Sequence, residues 1–106
     1  MSGLDNTSYT VRTVSATTTL TNNDSVLLVA APAANVIVNL PAVASVQPGR
    51  FYFVKRDATA VQTVTLDGFG SETINGATTL AVGAAGTAGG VLIVSDGTAW
   101  HALANA

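Results

Sequence analysis

The chain has 106 residues, with four Lys or Arg against six Asp or Glu and a formal net charge of −2 at pH 7. Only 9% of residues are charged while 48% are hydrophobic, the reverse of a disordered segment. The absence of Cys excludes disulfides, thiol catalysis and Cys-based zinc sites, and the acidic balance argues against a nucleic-acid binder held by phosphate contacts.

Residues 1–8 are polar, contain Gly3 and show neither the basic nor the apolar region of a signal peptide. They read as an N-terminal arm, with Leu4 and Tyr9 as its anchors on a neighbour. Residues 9–106 read as one β domain, since length alone predicts a single domain. Predicted strands follow in order: Tyr9–Ser15, Ser25–Ala30, Asn35–Leu40, Arg50–Asp57, Gln62–Leu66, Glu72–Ile74, Ala77–Val82, Val91–Ser95 and Thr98–Leu103. Turn residues part them at the spacing typical of sandwiches and barrels: Asn22-Asn23-Asp24, Pro48-Gly49, Asn75-Gly76 and Asp96-Gly97. The last two dipeptides favour the type I′ turn of a two-residue hairpin. Helix has no place to form: β-branched residues dominate, and the Ala-rich stretch 81–88 is interrupted by glycines. No apolar run approaches the roughly 18 residues of a membrane helix.

A monomer of this mass exposes about 5,500 Å². Ten charged side chains spread over that area leave a bland, partly apolar surface, and monomers rarely carry large contiguous apolar patches. Three strands point the same way. Val26-Leu27-Leu28-Val29, Phe51-Tyr52-Phe53-Val54 and Val91-Leu92-Ile93-Val94 are apolar on both faces, as strands covered on both sides would be. One face is expected in the core and the other against a sister subunit. The candidates for that contact are Leu27, Val29, Phe51, Phe53, Leu92 and Val94.

Groups for catalysis are sparse. His101 is the sole His, and strand alternation separates it from Trp100. Of the carboxylates, Asp24, Asp67 and Asp96 adjoin turn residues, where Asp commonly bonds local backbone. No pair is spaced for glycoside chemistry, and the alternating acids of a Ca²⁺ loop are missing. The glycine-rich stretch 83–90 lacks the Lys-Ser/Thr end of a phosphate loop. Alternation sends Arg50 and Arg56 to one face and Lys55 to the other, a pattern of local pairing rather than a nucleic-acid groove. Trp100 and Tyr52 are candidates for a surface or glycan contact, although Trp equally anchors cores and interfaces. The expectation is of no enzyme, no cofactor and no metal.

The succession of motifs adds a resemblance. Ser25-Val26-Leu27-Leu28-Val29 leads through an Ala-rich bridge to Val36-Ile37-Val38-Asn39-Leu40-Pro41. Gly49-Arg50-Phe51-Tyr52-Phe53-Val54-Lys55, Val64-Thr65-Leu66 and Glu72-Thr73-Ile74-Asn75-Gly76 follow. The chain closes on Val91-Leu92-Ile93-Val94-Ser95-Asp96-Gly97-Thr98-Ala99-Trp100. From about Thr17 to Leu103 this resembles the small β-rich modules of tailed-bacteriophage virion proteins, which recur in tail fibres, tailspikes and capsid decoration proteins. The resemblance implies an antiparallel β-sandwich or barrel, jelly-roll-like, of about 8–9 short strands that assembles as a homotrimer without shared catalytic residues. A short chain with an arm suits a capsid decoration, or cement, protein. It would be made in the host cytoplasm and placed on the capsid surface of the virion, with itself and the major capsid protein as partners and neither nucleic acid nor membrane. The alternatives are a tail-fibre or baseplate-associated trimer contacting the host surface, and a monomeric carbohydrate-binding module using Trp100 and Tyr52.

Overall fold

β-Branched residues crowd the segments between turns, and they form strands because a pleated, half-buried surface suits their restricted χ1. A computed structural model describes residues 9–57, 61–84 and 86–105. Leu4 and the rest of the arm, residues 1–8, lie outside the described residues. The described strands are β1 (Val11–Val14), β2 (Thr18–Thr19), β3 (Val26–Val29), β4 (Val36–Asn39), β5 (Phe51–Arg56), β6 (Val64–Asp67), β7 (Thr79–Ala81), β8 (Gly89–Ser95) and β9 (Trp100–Asn105). A 3-10 turn, Val43–Ser45, interrupts the loop between β4 and β5.

The strands form two sheets, a five-stranded one ordered β1-β3-β5-β8-β9 and a four-stranded one ordered β2-β4-β6-β7. From β1 to β6 the chain changes sheet after every strand. Each return to a sheet therefore runs in the same direction as the last, and β1, β3 and β5 pair in parallel, as do β2, β4 and β6. This part of the chain winds three times around a shared interior. It then reverses: β7 pairs antiparallel with β6, β8 with β5 and β9 with β8.

The all-β expectation and most strand positions hold. The antiparallel, jelly-roll-like arrangement does not: four of the seven strand pairings are parallel, and the sheets do not close into a barrel. Parallel neighbours require a long crossover, usually helical. Here the crossover is a strand of the opposite sheet, which leaves no helical mark in the sequence.

Local differences have equally local causes. Thr18–Thr19 forms a strand that no alternation announced. Glu72–Ile74 shrinks to single bridges from Ile74 to Ala77 and to Trp100. The Asn75-Gly76 turn forms as expected, with φ of 52° and 86° at its two central residues. Asp96-Gly97 instead opens a four-residue loop, because the Asp96 carboxylate accepts the N–H groups of Thr98 and Ala99, both at 2.8 Å, and the Asp96 N–H reaches the Ala99 carbonyl at 3.1 Å.

The inward faces of both sheets meet in one core. Leu27, Val29, Tyr52, Val54, Val91 and Ile93 come from the five-stranded sheet, and Val36, Val38, Val64 and Leu66 from the other. Leu20, Leu40, Val43, Ile74, Val82 and Trp100 complete it. Burying each such side chain stabilises the fold by about 1.5–3 kcal/mol. Arginines line the ends of this interior. Arg56 is buried and donates to the carbonyls of Val82 (3.2 Å) and Gln62 (2.5 Å). Arg50 stacks over the Tyr52 ring, 4.2 Å from its centroid, and donates to the carbonyls of Asn22 and Asp24. Arg12 forms a two-pronged ion pair with Asp24.

Candidate assembly surface

Because successive side chains of a strand point to opposite faces, each sheet has an outer face, and the two differ in chemistry. On the four-stranded sheet the cross-strand rows read Ile37–Thr65–Ala81 and Thr19–Asn39–Asp67–Thr79. Ile37 is the one large apolar side chain among them. That face is suited to water.

On the five-stranded sheet the central outward row reads Val11–Val26–Phe53–Leu92. Phe51 lies opposite Val94, which in turn lies opposite His101. Tyr9 meets Phe51 edge-on, with ring centroids 6.5 Å apart. Tyr9, Val11, Phe51, Phe53 and Leu103 are 41–63% exposed, a concentration of apolar area found nowhere else among the described residues. Tyr9, Val26, Phe51, Phe53 and Leu92 frame an open hollow of ≈ 380 Å³.

Gly90 shapes this face. Its missing side chain leaves room for the Phe53 ring, which would stand 2.9 Å from an added Cβ. The edge of that ring sits over Gly90. The charges beside these apolar residues are basic, and Arg50 lines the hollow with them. Lys55 lies in the next row, between Leu28 and Gly90. No carboxylate is among the described outward strand residues of this sheet. At one corner His101 Nε2 sits 2.7 Å from Asp96 Oδ2, both side chains half exposed. The N–H of Ala99, His101 and the N–H of Thr98 hold the Asp96 carboxyl down at about 2.

The expected contact residues divide by this geometry. Phe51, Phe53, Leu92 and Val94 all point outward from the five-stranded sheet, and Tyr9 borders them. Leu27 and Val29 do not belong with them, because alternation turns both into the core at 0% and 1% exposure. Trp100 and Tyr52 are likewise corrected: each is 0% exposed, so neither presents a ring to a sugar. Their rings pack together at 5.8 Å, and the Tyr52 hydroxyl donates to the Thr21 carbonyl at 3.0 Å. Burial pushes the Tyr52 phenol pKa up, against the opposing pull of Arg50.

Two features of this region escape sequence reasoning. The role of Gly90 depends on which strand lies beside it, and the Arg12–Asp24 pair spans a change of sheet. Neither a protein-family model, nor a curated protein, nor a solved structure matches the chain.

Proposed function

We propose that the chain is a non-enzymatic structural protein that associates with its own copies through the outer face of the five-stranded sheet. In this reading it is a capsid decoration protein, bound as a homotrimer to the outer surface of a bacteriophage shell. The observation that carries self-association is the contrast between the two sheets. One outer face is a Thr, Asn and Asp ladder, and the other presents Phe51, Phe53, Val11 and Leu92, with Lys55 and Arg50 as neighbouring charges. Removing that apolar area from water is favourable in proportion to its extent, and aromatic anchors dominate such contacts. The order of motifs from Ser25 to Trp100 supports the virion role.

The mechanism is mass action. A protein that binds the assembled shell and not the free subunits stabilises the shell. Three identical footprints on one trimer raise the effective concentration of each after the first engages. Two measurements test this. Light scattering on the purified chain is expected to give three chain masses, and a single chain mass overturns the trimer. The copy number per purified phage particle, relative to the major shell protein, is expected to be high enough to cover the lattice. A few copies per particle would instead assign the chain to a tail fibre or baseplate, and absence from the particle overturns the virion reading.

A further inference from the structure

The two parallel ladders end side by side. Among the described residues, β1 is the edge of the five-stranded sheet and β2 the edge of the four-stranded one, both at the start of the winding. An edge strand offers unpaired N–H and C=O groups to any further strand, and a parallel winding has no intrinsic stop. At the far end β9 and β7 are edges too. A second copy thus carries edges that could meet β1 and β2, and head-to-tail contacts of that kind extend without closing.

A charge pointing inward sets the β1–β2 end apart. Arg12 stands in β1 opposite the buried Leu27, with its side chain turned towards the interior. Its guanidinium bridges the opening between the sheets. Nε and Nη2 donate to the two carboxylate oxygens of Asp24, each at 3.0 Å. Nη1 donates to the Thr18 hydroxyl at 2.9 Å, and Nη2 also reaches the Thr19 carbonyl at 3.2 Å, on the edge strand itself. Asp24 is fixed from the other side by the Thr21 N–H at 2.9 Å. The Arg12 side chain keeps 36% of its surface in water while that of Asp24 keeps 6%.

We propose that the Arg12–Asp24 clasp guards the open end of the winding, keeping a second copy of this chain from adding its edge to β1 and β2. The clasp occupies a backbone acceptor of β2. It also places on that end a guanidinium whose remaining hydration would be lost on stacking. Neither β7 (Thr79–Ala81) nor β9 (Trp100–Asn105) carries a carboxylate that could replace that water. An inward-pointing charge on an edge strand is a recognised means of blocking edge-to-edge growth.

The guard is independent of self-association through the sheet face, because the reference in its test is the wild-type particle of whatever closed size. Wild type, Arg12→Val, Arg12→Lys and Leu66→Ala are compared by light scattering over a range of concentration and by thioflavin T binding. The temperature is one at which each is folded by circular dichroism. Arg12→Val is expected to reach a mass several-fold above wild type that keeps rising with concentration, with a gain in dye binding. Arg12→Lys, which restores the inward charge, and Leu66→Ala, which loosens the core with the clasp intact, are expected to keep the wild-type mass. An unchanged mass for Arg12→Val overturns the proposal. Equal growth of Leu66→Ala overturns it as well, since lost stability would then be the cause. If Arg12→Val does not fold, Arg12→Gln replaces it, since it also removes the inward charge: growth of the same kind is expected, and none overturns the guard.

Discussion

At Asp24 a nearly buried carboxylate meets donors from two residues, Arg12 and Thr21. Burial raises its pKa, and this is the largest single influence. The hydrogen bonds and charge of Arg12, with those of Thr21, together outweigh it and hold the group below its ordinary 3.8. A carboxylate whose folded pKa is depressed contributes stability that is fully present above the unfolded value and is lost as pH falls through the folded one. Acid unfolding followed by circular dichroism is therefore expected to steepen below pH 3.8, and Asp24→Asn is expected to flatten that limb. Asp96 has the same sign, with its loss spread from 3.8 down to about 2. Its side chain is half exposed whereas that of Asp24 is nearly buried, so Asp96→Asn is expected to change the limb less than Asp24→Asn. Trp100 shows another side of residue chemistry. It is completely buried, yet its indole N–H has no acceptor among the described residues. Its place in the core rests on the ring and its contact with Tyr52 rather than on a hydrogen bond.

The two turn dipeptides illustrate what is local in an element and what is not. Asn75-Gly76 forms the expected turn because both residues accept positive φ, an intrinsic property of Asn and Gly. Asn75 also accepts the Ala102 N–H at 2.9 Å and donates its own N–H to the Trp100 carbonyl at 3.0 Å, tying this turn to β9. Asn75→Ala loses the side-chain acceptor and strains a φ of 52°. A loss of about 1–2 kcal/mol is expected, read from the midpoint of urea unfolding at unchanged slope. Strand positions were legible for the same local reason: alternation and turn residues act over a few positions. β2 was not, since two threonines carry no periodicity and become a strand only because Thr18 and Thr19 meet Val38 and Asn39. The direction of pairing was also hidden. A strand has a period of two residues whether its neighbour runs parallel or antiparallel.

At the scale of the whole molecule the outer face of the five-stranded sheet is the feature on which the proposed self-association rests. Replacing both Phe51 and Phe53 with Ser removes its central aromatic pair without touching the core, since alternation leaves Tyr52 and Val54 inside. The double variant is expected to remain folded by circular dichroism and to fall to the monomer mass by light scattering. A double variant that keeps the wild-type mass would place the contact elsewhere. Raising sulfate concentration is expected to strengthen association of wild type, because excluded salts favour apolar burial, whereas contacts between charges weaken with salt.

Composition and pattern by themselves determined that this chain is all-β, where most of its strands lie, and that it is poor in charge. Each of these depends on residue type and near neighbours. Tertiary structure alone decided that the strands wind between two sheets, that Leu27, Val29, Tyr52 and Trp100 are interior, and that Arg12 closes one end of the winding on Asp24. Alternation says that two sets of side chains face opposite ways but not which set is inside. Where a strand is apolar on both faces, as β3 is, only the placement of the second sheet makes that choice.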